Sequence, residues 1–188
     1  MPRKPSQTRA EILATAMRMF IEQGYDKTSL REIAEGVGVT KAALYYHFRT
    51  KDDIVKAAFE DYWQRIDAIF DWLADQPAGQ QRVEGLIDRL QDLFESEDAL
   101  AMRFGQANPT VMARGAGGES DFTDLVPRMV TAVAGKRPSP ENAMRPVLAF
   151  GALLWGSVEE SPLQIKGTPA QRRRAARKLA LELLAPLA

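Results

Sequence analysis

The side chains between Thr40 and Lys51 carry the most distinctive chemistry in this 188-residue chain. Thr40, Lys41, Ala42, Tyr45, Tyr46 and His47 place a hydroxyl, an ammonium, a small methyl, two phenols and an imidazole in one short stretch. On a helix surface, hydroxyls, phenols and cations bond phosphate oxygens or base edges, and a methyl-sized side chain permits close approach to thymine. Singly, each has a structural reading as well. Tyr45 alone is more often core, a lone histidine is usually a surface residue, and Thr28 offers a cap oxygen whether or not a partner is present. Their order and spacing favour an anionic partner. Other chemistries find little support. The chain has no cysteine, which excludes a thiolate zinc site, a disulfide and a cysteine nucleophile. His47 is the only histidine, too few for a His-rich metal site. There is no GxSxG, no HExxH and no phosphate-binding loop ending in Lys-Ser/Thr, so no enzyme, catalytic residue, metal or cofactor is expected.

The elements that position these groups read as helices, and the expected fold class is all-α with about nine helices. Ile12, Leu13, Ala16, Met17, Phe20 and Ile21 recur at helical spacing before Gly24. Thr28 and Ser29 then offer N-cap oxygens, with Glu32 in capping-box position after Ser29. Leu30, Ile33, Ala34 and Val37 form the apolar face of a second helix closed by Gly36 and Gly38. Thr40 caps a third, with Leu44 and Phe48 turned inward. Thr50 and Asp53 make the next box, ahead of a long helix broken at Pro77 and Gly79. Further helices are expected near 80–96, 98–107, 120–135, 139–158 and 168–185. The last two start at Ser139-Pro140 and at Thr168-Pro169 with Gln171. Residues 109–119 read as a mobile loop.

Three short helices in the first fifty residues, the second and third joined at Gly36–Val39, have the layout of a helix-turn-helix spanning about 29–48. Charge agrees. Residues 1–51 carry nine basic against five acidic side chains, a net +4, on a chain whose formal charge is zero. A basic end on an acidic body suits an anionic partner for that end. No apolar run approaches the ~18–20 residues of a membrane span, so a cytoplasmic protein without a membrane partner is expected.

The run from Thr28 to Lys51, TSLREIAEGVGVTKAALYYHFRTK, resembles the DNA-binding domain of TetR-family transcriptional regulators. Leu44-Tyr45-Tyr46-His47-Phe48 followed by Lys51 matches the family's signature at the end of its recognition helix, and the likeness covers roughly the first third of the chain. The resemblance implies a residue-by-residue set of DNA contacts. Thr28 caps the second helix and bonds a phosphate, and Arg31 projects toward bases or phosphate. Thr40 combines cap and phosphate contact, while Lys41 and Ala42 face bases. Tyr45 has a mixed packing and groove-edge role, and Tyr46, His47 and Lys51 bond the backbone.

The expected division is residues 1–50 for reading DNA and 51–188 for a larger helical domain that binds a ligand and dimerises. Val147, Gly151, Leu154 and Val158, with Leu179 and Leu183, are the expected homodimer stripe. Gly151 would offset its helix cost by close helix approach. Trp63, Phe94, Met102, Phe104, Phe122, Met129, Phe150 and Trp155 are candidates for lining an apolar effector cavity, although such residues are more often plain core. The function expected is a repressor that binds a palindromic operator in double-stranded DNA and is released by a small molecule. The alternatives are an activating or ligand-independent DNA-binding regulator, and a helical protein-interaction module.

Overall fold

The computed structural model describes residues 5–114, 121–158 and 164–188, and for 121–123 the backbone alone. Among the described residues there are ten α-helices and no strand. They are α1 (Pro5–Glu22), α2 (Leu30–Val37), α3 (Lys41–His47), α4 (Lys51–Ala74), α5 (Gln80–Glu95), α6 (Ala99–Ala107), α7 (Pro109–Ala113), α8 (Asp121–Ala134), α9 (Pro140–Ser157) and α10 (Pro169–Leu184). A 3-10 turn, Ala185–Leu187, follows α10. The segment expected as a loop over 109–119 contains α7, a five-residue helix with Pro109 in its first turn, where a missing N–H costs nothing. The rest of that segment beyond 114 lies outside the described residues. No helix among them is long and apolar enough to cross a membrane.

Helix ends form where local chemistry satisfies their free backbone groups. Ser29 caps α2 in a full capping box with Glu32: the Glu32 amide donates to the Ser29 hydroxyl, and the Ser29 amide donates back to the Glu32 carboxylate at 2.7 Å. The Ser29 hydroxyl also donates to that carboxylate, at 2.7 Å; this bond first, and then the one from the Ser29 amide, favour the ionised form, so the Glu32 pKa lies below its ordinary value. Gly38 ends α2 at φ +74°, a left-handed conformation that a side chain strains. Thr50 and Asp53 reciprocate at the start of α4, with bonds of 2.9 and 3.1 Å. Ser139 caps α9, and Thr168 with Gln171 boxes the start of α10.

The chain packs as two compact units: Met1–Gln64 with Glu97–Glu119, and Arg65–Ser96 with Ser120–Ala188. In the first, α1 packs on α2 and α6, and α2 packs on α3. Ile12, Phe20, Ile33, Leu44 and Phe48 are buried there, each large side chain contributing about 1.5–3 kcal/mol. Arg9 bridges α1 to α4 through Asp61, with bonds of 2.7 and 3.3 Å. In the second unit α9 packs on α10, α8 and α5. Arg82 holds this unit by donating to the carbonyls of Leu73 and Ala132, at 3.2 and 2.9 Å. It thereby satisfies last-turn acceptors of α4 and α8 together.

Candidate nucleic-acid interface

Helix α3 is held from behind by buried Leu44 and Phe48. Its start is fixed by Thr40, whose hydroxyl accepts from the Ala43 amide at 3.1 Å. The opposite side is open. Thr40, Lys41, Ala42, Tyr45 and Tyr46 are exposed and His47 half-buried, and Tyr46 stands out at 83% exposure. Lys41 Nζ lies 5.5 Å from the centre of the Tyr45 ring, and the rings of Tyr46 and His47 meet edge-on at 5.2 Å. One rigid helix thus presents hydroxyls, an ammonium and a small methyl on one surface, the requirement for inserting side chains into a major groove.

The flanking candidates divide. Arg31 is exposed on α2, one turn from Glu35, whose carboxylate accepts from Arg31 Nε at 2.8 Å. That bond and its attraction raise the pKa of the guanidinium, which stays charged. Lys51, half-buried, donates from Nζ to the Tyr25 carbonyl at 2.6 Å. Thr28 departs from expectation. It is only 2% exposed, and its hydroxyl donates to the Gly24 carbonyl at 2.9 Å. The α2 cap is Ser29. Two adjacent hydroxyls could have capped the helix, and the inward one was taken by the end of the preceding helix.

The expected effector residues are scattered across the chain. Met129 and Phe150 line one cavity of the second unit with Phe70, Leu86, Leu90 and Leu153, and Phe94 meets Phe150 edge-on at 5.1 Å. Trp63, Met102 and Phe104 are buried in the first unit. Trp155 is half-buried on α9, and the side chain of Phe122 lies outside the described residues. On the expected dimer stripe, Val147, Gly151, Leu154, Val158 and Leu183 are half-buried and Leu179 is 51% exposed. Met144 and Leu148, missed from sequence, are 59% and 51% exposed on α9. Their spacing of four, continued at Gly151 and Trp155, was the signal that would have found them. Within the chain, Gly151 has nothing within 4 Å of an added Cβ, and α9 approaches α10 closely at Gly156.

A three-helix head with an open third helix defines a helix-turn-helix protein. Residues 12–58 match the model of bacterial regulatory proteins of the tetR family. Among curated relatives, it is 45% identical over 58 residues to the HTH-type transcriptional regulator AcrR of Shigella flexneri, 31% of this chain and 25% of that protein. It is 33% identical over 86 residues to the HTH-type transcriptional repressor KstR2 of Mycobacterium tuberculosis, 46% of this chain and 40% of that one. The chain therefore spans less than half the length of these relatives, which are transcriptional regulators rather than enzymes. The solved structure of ketosteroid transcriptional regulator KstR2 of Mycobacterium tuberculosis aligns with a TM-score of 0.68 at 21% identity, over 93% of both chains. At that identity the likeness establishes the fold.

Proposed function

We propose that this chain is a sequence-specific DNA-binding transcriptional regulator, a repressor that acts as a homodimer on a palindromic operator and is released by a small molecule. The open face of α3, with Thr40, Lys41, Ala42, Tyr45 and Tyr46 exposed over buried Leu44 and Phe48, is the observation that carries it. Arg31, His47 and Lys51 flank that face as further contacts. Thr28 supports the head from inside. Residues 1–50 supply the reading surface and 51–188 the effector and dimer surfaces. No catalytic role is assigned to any residue.

The apolar side chains Met144, Leu148 and Leu179, exposed on α9 and α10, support a two-fold partner at this surface. Two head groups then address two successive major grooves, ~34–36 Å apart. For the effector, a cavity lined only by hydrocarbon and aromatic side chains supports a neutral, apolar molecule. With a volume of about 10 Å³, it must open before such a ligand enters. A fold-level analogy supports a small-molecule effector of some kind, since AibR, aligned at 19% identity with a TM-score of 0.63, was solved in complex with isovaleryl coenzyme A and operator DNA.

Selection of bound duplexes from a random-sequence pool tests the reading, with wild type beside a Lys41→Ala/Tyr46→Ala variant. A palindromic site enriched by wild type and lost by the variant is the expected result. Enrichment of no site, or equal enrichment by both proteins, would refute it.

A further inference from the structure

Tyr25 lies in the turn between α1 and α2. Its ring forms a closed triangle with Phe20 of α1 and Phe104 of α6: the centroids are 5.0 Å apart for Tyr25–Phe20 and 5.8 Å apart for the other two pairs. Phe20 and Phe104 are fully buried, so the ring has two fixed walls. The other end of Tyr25 grips the first two residues of α4. Its hydroxyl donates to Asp52 Oδ1. Lys51 Nζ donates to its carbonyl at 2.6 Å and stands 4.3 Å from the ring centre, within cation–π range. Burial first, then the bond to Asp52, push the phenol pKa up, so it remains a protonated donor.

The consequence concerns where a cation is held. A lysine on a flexible four-carbon stem loses rotamer freedom whenever it contacts a phosphate, and fixing it beforehand reduces that loss. Here one ammonium donor is used on the Tyr25 carbonyl and two remain, on a half-buried side chain beside the α4 N-terminus. We propose that Tyr25 is a positioning residue for Lys51, holding its ammonium where it meets a DNA phosphate, and that Phe104 on α6 fixes Tyr25 in that place. A displacement of α6 that withdraws Phe104 then loosens Lys51 without touching α3. The inference rests on the DNA-binding reading above.

Phosphate contacts are independent of sequence, so the test needs no operator. Full-length wild type, Lys51→Met, Tyr25→Leu, Phe104→Leu and the Tyr25→Leu/Lys51→Met double variant are titrated against a mixed-sequence duplex from about 50 to 200 mM salt. Lys51→Met is expected to lower the slope of log affinity against log salt by about 0.9 per protomer, or three- to fourfold in affinity across that range. Tyr25→Leu and Phe104→Leu should each lower the slope toward the same value, and the double variant should fall no further than Lys51→Met. Phe104→Leu retains the Tyr25 side chain and removes only one wall of its site, so it carries the test should Tyr25→Leu fail to give a native circular dichroism spectrum. A merely structural role would lower thermal stability and leave the slope at the wild-type value, which overturns the proposal. So would an effect of Tyr25→Leu that adds in full to that of Lys51→Met. Wild-type binding without salt dependence would overturn the DNA reading together with the proposal, so the two failures are told apart.

Discussion

Gly156→Ala should destabilise the protein, although alanine is the better helix former. A Cβ added at Gly156 would lie 2.4 Å from the Ala176 Cβ and 3.2 Å from the Arg172 carbonyl oxygen. Non-bonded carbons rest at about 3.5–4.0 Å, so the first contact is short by more than ~1 Å. Neither neighbour is the tip of a flexible side chain. One is a methyl bound directly to the α10 backbone and the other is backbone itself, so α9 and α10 must separate. Overpacking of this kind costs about 1–3 kcal/mol, and a collision with immovable atoms belongs at the upper end. The helix-propensity gain of at most about 1 kcal/mol offsets part of it. The net loss is about 2 kcal/mol, or roughly 4–8 °C in Tm for a chain of this size.

Urea unfolding followed by circular dichroism, at matched protein concentrations, measures this loss. Gly151→Ala in the same helix is the control. Its Cβ meets nothing within 4 Å, so it should gain up to about 1 kcal/mol at low concentration. That gain should shrink as concentration rises if a partner packs on this face, because a dimer's stability depends on concentration. A Gly156→Ala protein as stable as wild type would refute the packing argument.

Three further outcomes are expected. Arg82→Met removes the two charge-assisted bonds to the Leu73 and Ala132 carbonyls. It should cost about 2 kcal/mol in a thermal melt, reduced from the full sum because Arg82 is half-exposed. Glu32→Gln should lower stability at neutral pH. The folded Glu32 pKa is depressed, so its contribution is present above the unfolded value of about 4.3 and is lost as pH falls through the lower folded value. The gap between the two proteins should therefore close on acidification, and a gap that widens contradicts the box. Thr28→Val leaves the Gly24 carbonyl without its donor and should cost about 1 kcal/mol. It should leave the salt slope for duplex DNA unchanged, whereas a fall would return Thr28 to the phosphate contacts.

What the sequence determined by itself is the set of features that depend on neighbours a few residues apart. Caps are of this kind, because a hydroxyl three residues before an amide reaches it in any helix start. Ser29 with Glu32, Thr50 with Asp53, Ser139 and Thr168 with Gln171 were all readable, and helix limits followed to within a residue or two. The surface of α3 was readable for the same reason. Once Leu44 and Phe48 are turned inward, helical geometry alone turns Lys41, Ala42, Tyr45 and Tyr46 out.

Only the tertiary structure decided matters that compare distant segments. Gly151 and Gly156 are equivalent in a one-dimensional pattern. Which of them lets helices meet depends on where Ala176, twenty residues after Gly156, crosses α9. Phe104 looked like one more cavity aromatic until α6 placed it against Phe20 and Tyr25. Thr28 turned inward because the Gly24 carbonyl was there to accept its proton. Periodicity states that a side chain is buried, and only the packing of α1, α4, α6 and α10 states against what.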